Sequence, residues 1–314
     1  MSAMDGVLII DKPAGMTSHD VVARVRKMIG ERRIGHTGTL DPFATGVLVL
    51  LIGRATRIAQ FLSSAEKEYE AVIRLGYATD TGDVTGARVE PPHAKAQSPQ
   101  NFPLEQIESA IATLRGGIEQ LPPMYSAKKI AGRKLYELAR RGQEVERQPV
   151  RVKIHEFELL KSDESFLSCD DGSLDIRVRV VCSAGTYIRT LAEDLGRKLG
   201  IGAHLVELHR TRAGQFQIDA AMTLEKLADT FAQNKLSDTV ISSHTALSHL
   251  PSIDLDDDQL RRTLHGLALP FKDNQLRLSE GDPIRLSKDN QLIAVGKIDA
   301  EQGTIRPAIV LATS

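Results

Sequence analysis

The feature that most constrains the fold is the spacing of the apolar residues, which changes along the chain between the period of a strand and that of a helix. Short apolar runs at 7–10 and 47–52 are too brief for a helix and predict buried strands. At 69–75 and 174–180 apolar residues alternate with polar ones, which predicts strands with one packed face, and 205–218 is predicted to be mostly extended. Helical periodicity marks the segments at 18–30, 104–114, 187–199 and 224–231.

The length of 314 residues exceeds what one compact core usually holds, so we expect two units. Ser, Thr and His cluster at 242–251, and from Asp254 onward glycines separate short apolar runs. That pattern predicts a small, mostly β domain of about 60 residues at the C-terminal end. We therefore place a large unit at 1–245 and a small one at 250–314.

Composition excludes several classes of protein. With 41% hydrophobic and 26% charged residues, the chain matches an ordinary globular protein rather than a disordered one. Two cysteines, Cys169 and Cys182, are too few for a disulfide scaffold and are typical of the cytoplasm. The longest apolar runs are far shorter than a membrane span, and the first residues lack the pattern of a signal peptide. We expect a cytoplasmic protein that does not contact a membrane.

The distribution of charge is more informative than its sum. A net charge of −1 argues against a nucleic-acid partner when the chain is taken as a whole. Residues 128–153, however, hold nine basic and three acidic side chains, a net of +6, beside Tyr125 and Tyr136. A phosphate backbone is the usual partner of such a concentration. A solvated helical face and a site for an acidic protein surface are the alternatives.

The sequence lacks the common motifs for phosphate binding, zinc binding and a serine nucleophile. The sequence has no GxxxxGK[ST] or GxGxxG phosphate loop, no CxxC pair and no GxSxG nucleophile elbow. If the chain is an enzyme, it is therefore expected to work with ordinary side chains, without a metal or an organic cofactor.

The best candidate for chemistry is Asp41, in the loop GHTGTLDP at 35–42. Pro42 biases Asp41 toward extended geometry, which would hold the carboxylate in one direction. Such a carboxylate can act as a nucleophile or a general base, although an Asp-Pro turn without function is the commoner case. His36 lies five residues earlier and could bind metal with Asp41, stack in the loop, or be purely structural.

Two further residues have both a structural and a functional interpretation. Tyr69 alternates with apolar neighbours, so its default role is core packing with a satisfied hydroxyl. Arg189 lies in the first turn of a predicted helix among apolar residues. A buried arginine there requires a carboxylate partner, which favours an Arg–Asp pair at a site.

Four motifs in chain order resemble those of the bacterial tRNA pseudouridine-55 synthase family. They are VLIIDKPAGMTS at 7–18, GHTGTLDP at 35–42, PPMYSA at 122–127 and GTYIRT at 185–190. The resemblance covers residues 6–225 well and the tail loosely. It implies an α+β pseudouridine synthase fold with a mixed, largely antiparallel central sheet and a catalytic cleft, followed by a small, mostly β, PUA-like RNA-binding domain. The implied activity is isomerisation of uridine 55 in the T loop of tRNA.

The resemblance also assigns roles to individual residues. It implies that Asp41 is the catalytic aspartate and that Arg189 pairs with it. The residues it implies at the substrate are His36, which helps displace the base, Tyr69, which stacks on the uracil, Tyr187 and Leu208, which line the pocket, and Asp83 nearby. It implies that segment 122–153 closes on tRNA, with RNA contacts from Lys128, Lys129, Arg133, Lys134, Arg140 and Arg141. Phe43 departs from the aliphatic residue expected after Asp-Pro and changes packing beside the site.

The expected partner is the T arm of tRNA, bound by a monomer without a membrane, an obligatory protein partner or a guide RNA. The isomerisation is redox-neutral, so the family is expected to need no cofactor and no metal. A tRNA-folding chaperone activity can accompany the catalysis, and a chaperone without catalysis is an alternative. Another alternative is a guide-RNA-dependent synthase, against which the chain's own basic segment argues.

Overall fold

The computed structural model describes residues 4–89, 99, 102–126, 128–130, 133–135, 138, 143, 145–160, 166–271 and 278–312. The helices within these residues are α1 (Ser18–Ile29), α2 (Ala59–Ser63), α3 (Leu104–Ala112), α4 (Ile188–Leu199), α5 (Leu224–Ala232), α6 (Ser243–Ala246) and α7 (Asp257–Leu264). The strands are β1 (Gly6–Lys12), β2 (Ile34–His36), β3 (Thr45–Ile52), β4 (Lys67–Leu75), β5 (Ala78–Thr79), β6 (Arg88–Val89), β7 (Gly116–Gln120), β8 (Lys129–Ile130), β9 (Arg133–Lys134), β10 (Val150–Leu159), β11 (Phe166–Ser168), β12 (Leu174–Cys182), β13 (Ala203–Ala213), β14 (Phe216–Gln217), β15 (Ser252–Asp254), β16 (Leu269–Pro270), β17 (Pro283–Lys288), β18 (Gln291–Asp299) and β19 (Thr304–Val310).

A ten-stranded sheet dominates the described residues, with the strand order β1-β3-β13-β4-β12-β10-β7. Strands β2, β11 and β14 pair with β3, β12 and β13 beside this path. The β3–β13 pair is parallel, whereas the other pairs in this sheet are antiparallel. The predicted mixed, largely antiparallel central sheet is confirmed.

The apolar spacing of the sequence accounts for which strands are buried on both faces. In β1 and β3 nearly every residue is buried, and successive side chains enter two different cores. In β4 the residues Tyr69, Ala71 and Ile73 face a third core that includes helix α4, while Glu68 and Arg74 lie on the opposite face. The predicted alternation at 69–75 is therefore confirmed.

Helix α1 shows how the local sequence sets an element's ends. Thr17 is its N-cap: the Thr17 hydroxyl accepts the Asp20 N–H, and the Asp20 carboxylate accepts the Thr17 N–H. Gly30 ends the helix in the left-handed region at φ 73°, which glycine adopts without a Cβ clash. Val21 and Val25 are buried beneath it, so the predicted helix at 18–30 is confirmed with Thr17 as its cap.

The segment predicted as extended at 205–218 divides into two strands. Strand β13 begins earlier than predicted, at Ala203, and Gly214, with φ 60°, turns the chain into the short strand β14. Strand β13 is also irregular, with register shifts near Val206 and Thr211 against β4. At Gly46 a Cβ would lie 2.3 Å from the Arg210 carbonyl oxygen, so only glycine lets β3 approach β13 this closely. Most of the loop predicted at 90–103 lies outside the described residues.

A second, five-stranded sheet follows near the C-terminal end, in the order β15-β17-β18-β19-β16. Its own core includes Leu286, Ala294 and Ile305, and helix α7 lies against it. Other side chains of this sheet, among them Val295 and Ile309, pack on β1 and β3 of the large sheet. The separate C-terminal β domain is confirmed, whereas the exact division at 245–250 stays a prediction. No helix within the described ranges has the length and apolar character needed to cross a membrane.

Candidate active site

A cavity of about 330 Å³ opens where several parts of the large sheet meet. Its wall is formed by the loop at 37–41, by Lys67 and Tyr69 of β4, by residues 185–189 at the start of α4, by Leu208 and Arg210 of β13, and by Ser126 and Lys128. Motifs that are far apart in the sequence therefore meet at one site. Five of the residues predicted at the site, Asp41, Tyr69, Tyr187, Arg189 and Leu208, line this cavity together with Lys128.

Asp41 and Arg189 form a bidentate ion pair on the cavity wall. The Arg189 Nε lies 2.9 Å from Asp41 Oδ2, and Arg189 Nη2 donates to Asp41 Oδ1 at 3.0 Å. The Arg189 side chain is only 5% exposed, whereas that of Asp41 is 30% exposed toward the cavity. The carboxylate partner that the position of Arg189 required is therefore Asp41.

Two further donors of Arg189 are also occupied, which fixes the guanidinium plane. They bond the carbonyl oxygens of Tyr125 at 2.6 Å and Thr81 at 3.1 Å. Asp83 Oδ2 lies 3.5 Å from Arg189 Nη1, and Asp83 is buried outside the cavity wall. Asp83 itself accepts from the Thr81 hydroxyl and the Thr85 N–H. It therefore contacts the arginine from the side away from the cavity.

Opposing effects act on the carboxyl group of Asp41. Burial raises the pKa of Asp41, the guanidinium of Arg189 opposes that rise, and the nearby charge of Asp83 adds to it. The ion pair with Arg189 is thus the main contact that favours the ionised form of Asp41.

Two tyrosines and a leucine supply the apolar surfaces of the cavity. Tyr69 and Leu208 are almost fully buried, and burial raises the pKa of the Tyr69 phenol. Burial also raises the pKa of Tyr187. Gln120, which the sequence did not single out, holds the Tyr187 backbone: its side chain accepts the Tyr187 N–H at 3.0 Å and donates to the Tyr187 carbonyl at 3.2 Å. These contacts set where Tyr187 enters the cavity.

His36 does not line the cavity. Its Nδ1 accepts the Gly38 N–H at 3.4 Å, and its ring meets the ring of His19 edge-on at 5.4 Å between centroids. Among the residues the structure describes, no group of three or more His, Cys, Asp or Glu side chains could hold a metal ion. The metal-ligand alternative for His36 therefore gains no support.

The basic segment is described only in part. Lys128 lines the cavity, and the backbones of Lys129, Arg133 and Lys134 lie in the antiparallel strand pair of β8 and β9. The backbone is therefore extended rather than helical at Lys129–Ile130 and Arg133–Lys134, whereas Leu135 and Leu138 are helical. Arg140 and Arg141 lie outside the described residues.

Lys67 and Arg210 line the cavity but were not predicted as site residues. Their side chains are 6% and 2% exposed. Lys67 lies two residues before Tyr69, so the same alternation that buries Tyr69 also directs Lys67 inward. The strand predicted from the sequence begins only at Tyr69, so the prediction leaves Lys67 out.

Lys12 was also missed, although it belongs to the first motif. It is fully buried, and its ammonium donates to the carbonyl oxygens of Pro13, Met16 and Pro42. Burial lowers the pKa of Lys12 to about 8. The bond to Pro42 ties the end of β1 to the turn that carries Asp41, which explains why these two motifs occur together.

Comparisons with known proteins agree with this arrangement. A family model described as TruB family pseudouridylate synthase (N terminal domain) matches residues 26–188, and one described as tRNA pseudouridylate synthase B C-terminal domain matches residues 189–267. The chain is 42% identical over 310 residues to a tRNA pseudouridine synthase B of Bacillus cytotoxicus, covering 98% of this chain and 97% of that one. It is 39% identical to the protein of the same name from Bacillus pumilus, covering 98% of each. Among solved structures, a chain in the crystal structure of a Cbf5-Nop10-Gar1 complex superposes with a TM-score of 0.73 at 28% identity, covering 98% of this chain and 85% of that one.

Proposed function

The chain belongs to the TruB family of pseudouridylate synthases, and from that premise we propose that it isomerises uridine 55 in the T loop of tRNA. As a member of this family it is an isomerase that acts as a pseudouridine synthase on tRNA. The observation that carries the finer proposal is the bidentate pair of Asp41 and Arg189, which lies beside Tyr69 and Tyr187 on the wall of one cavity.

The proposed reaction exchanges one bond to the sugar for another. The C1′–N1 bond of the uridine breaks, the uracil turns, and a C5–C1′ bond forms, while C5 loses a proton and N1 gains one. Asp41 is the residue we propose to start this sequence, either by adding to C6 of the base or by acting at the sugar. Arg189 would keep the Asp41 carboxylate charged and oriented as charge moves in the transition state.

A uridine stacked within a folded loop must leave that stack to reach Asp41, so we propose that the base is flipped into the cavity. The ring of Tyr69 would stack on the uracil, and Tyr187 and Leu208 would close the remaining apolar walls. His36, beside the cavity, would occupy the space that the base leaves. We propose that Asp83 acts through Arg189, because the two side chains lie within 3.5 Å of each other.

Recognition of the rest of the T arm is proposed for two surfaces. Lys128 and the other basic residues of segment 122–153 would contact phosphates, and the domain at 250–314 would add a further RNA-binding surface. We propose that these contacts also let the protein assist tRNA folding.

We propose that the protein acts alone, without guide RNA or an obligatory protein partner. The identities of 42% and 39% to the two Bacillus proteins, against 28% to the Cbf5 chain, support this choice.

Tritium release from tRNA that carries 5-tritiated uridine tests the proposal directly, because C5 loses its hydrogen only during the isomerisation. We expect Asp41→Asn to lower release by at least about 1,000-fold while tRNA binding persists. Asp175→Asn, in a bidentate pair with Arg74 outside the cavity, is the matched control and should retain release. Turnover of Asp41→Asn near that of the wild type would refute the assignment of Asp41. Pseudouridine at a position other than 55 in treated bulk tRNA would refute the proposed target.

A tRNA-refolding assay separates the two proposed activities. If Asp41→Asn restores misfolded tRNA as well as the wild type does, the chaperone activity is independent of catalysis. Failure of both proteins in that assay would refute the chaperone activity and leave the isomerase proposal intact.

A further inference from the structure

Two buried cations converge on one point of the cavity wall. A Cβ built on Gly38 would lie 3.5 Å from Arg210 Nη1 and 4.0 Å from Lys67 Cε. The φ of Gly38 is 151°, a conformation that other residues rarely adopt. Glycine therefore leaves the space between the two side chains open to the cavity.

Neither cation uses all of its hydrogen-bond donors within the described part of the chain. Lys67 has three N–H groups and donates to two carbonyl oxygens, those of Ser63 at 2.6 Å and Ala65. Arg210 has five: it donates from Nε to the Val47 carbonyl at 2.6 Å and from Nη2 to the Gly38 carbonyl at 3.2 Å, and it also hydrogen-bonds the Tyr69 side chain. Both residues thus keep donors beyond those that hold the backbone.

Two other buried cations, Lys12 and Arg189, differ from Lys67 and Arg210 because their partners lie within the protein. The three N–H groups of Lys12 meet three carbonyl oxygens, and Lys12 does not line the cavity. Arg189 has a carboxylate partner in Asp41. The ion pairs among the described residues include neither Lys67 nor Arg210.

Burial of a cation without a counter-charge destabilises its charged form. Burial, together with the smaller effect of the Arg210 charge, lowers the pKa of Lys67 to about 8. The backbone contacts explain two bonds of each side chain: Lys67 caps the end of α2, and Arg210 joins β13 to β3 and to the loop at Gly38. They do not explain why Lys67 and Arg210 share one part of the cavity wall when the only carboxylate among its described residues, Asp41, is paired with Arg189.

We propose that Lys67 and Arg210, on either side of Gly38, form an anion subsite that binds a phosphodiester group directly flanking the target uridine. The inference rests on the proposed function, because it takes RNA as the substrate. A phosphodiester carries a permanent charge and would balance both cations as soon as RNA binds. The carbonyl oxygens of uracil are neutral before reaction and would leave the two cations unmatched in the bound complex.

A chemically altered substrate tests the subsite on the unaltered protein. T-arm RNAs would be made with one uncharged methylphosphonate linkage on the 5′ side of the target uridine, on its 3′ side, or in the distal stem as a control. We expect one flanking replacement to weaken binding to the wild type about 10- to 100-fold, the range for a hydrogen bond to a charged group. The stem replacement should have a much smaller effect. Equal binding of all three RNAs would overturn the proposal.

Variants then identify the protein side of the contact. For Lys67→Met and Arg210→Gln we expect the slope of log K against log salt to fall by about 0.7, the value for one phosphate contact of single-stranded RNA. The same variants should bind unmodified RNA and the methylphosphonate RNA that weakens binding to the wild type with nearly equal affinity. Lys67→Arg, which keeps the charge, should retain the wild-type salt slope and the wild-type preference for unmodified RNA. Lys12→Met is the matched control for loss of a buried lysine and should leave the salt slope unchanged.

A purely structural role for Lys67 and Arg210 predicts a different result. In that case the variants weaken RNA binding at every salt concentration but keep the wild-type salt slope. The binding free energy lost in each variant then adds to the binding free energy lost through the methylphosphonate linkage. Tritium release from unmodified RNA by the wild type is measured in parallel. Absence of tritium release would refute the proposed function. Normal tritium release combined with additive losses of binding free energy would refute only the anion subsite.

Discussion

Replacing Arg189 by methionine removes the buried cation that contacts the carboxylates of Asp41 and Asp83. The side chain of Arg189 is 5% exposed and contacts Asp41 at 2.9 Å and Asp83 at 3.5 Å. Methionine fills a similar apolar volume but offers no donor. The variant therefore leaves the two carboxylates near each other without a compensating charge.

The expected cost follows from this geometry. One ion pair at about 4 Å is worth about 4 kcal/mol at an effective dielectric constant of 20. Loss of one partner from a buried pair typically costs about 3–5 kcal/mol, because the remaining charge is left unpaired. We expect Arg189→Met to lower the free energy of unfolding by about 3–5 kcal/mol. Adding Asp41→Asn should recover at least about 1 kcal/mol, since it removes one of the stranded charges.

Urea unfolding followed by circular dichroism measures this cycle, with tritium release measured on the same four proteins. Activity should fall as far in each single variant as in the double variant, because Asp41 and Arg189 act as one unit. Arg74→Met is the control: it breaks the bidentate pair with Asp175, whose two bonds are both 2.7 Å, outside the cavity. It should lower stability and retain tritium release.

Strict additivity of the two changes in the free energy of unfolding would contradict this prediction. If Arg189→Met and Asp41→Asn lower the free energy of unfolding independently, the two side chains do not stabilise each other in solution. If Arg74→Met abolishes tritium release as completely as Arg189→Met does, loss of activity reflects loss of folding rather than the Asp41–Arg189 pair.

Three other outcomes follow from the same contacts. Tyr69→Ala should lower turnover at least about tenfold more than Tyr69→Phe, because stacking on a base is worth about 1–3 kcal/mol; equal turnover of the two variants would contradict the stacking role. At pH 8 a thiol reagent should label Cys169 in the native protein and Cys182 only after unfolding, since burial raises the pKa of Cys182 to about 11; equal labelling rates would contradict it. The pKa of Lys67 is lowered from 10.5 to about 8, so the native state binds fewer protons than the unfolded state between these pH values. The free energy of unfolding of the wild type relative to Lys67→Met should therefore rise by about 3 kcal/mol from pH 8 to 10.5, and a constant difference in urea unfolding would refute the buried charge.

Periodicity predicted the elements of this fold well where one face of the chain is buried. The strand containing Tyr69 and the helix that follows Thr17 were both found from it, because alternation and helical spacing record which side chains leave water. It failed where the backbone changes direction within one apolar stretch. Gly214 turns the segment at 205–218, and nothing in the spacing of apolar residues distinguishes that turn from a continuous strand.

The sequence likewise predicted some residues of the candidate site and not others. Asp41 was found because its loop has an unusual sequence, and Arg189 because a buried charge requires a partner. Lys67 and Arg210 were missed because each looks, in the sequence, like one more surface cation beside a strand. Their burial depends on residues from other strands that cover them.

The sequence by itself determined which residues are apolar, where helices are capped, and that Arg189 requires a counter-charge. These properties depend on neighbours within a few positions of the chain. Only the tertiary structure decided that this counter-charge is Asp41, 148 positions away, and that Lys67 and Arg210 meet at Gly38. The register of β13 between β3 and β4 sets those contacts, and register is fixed by packing between distant strands rather than by local sequence.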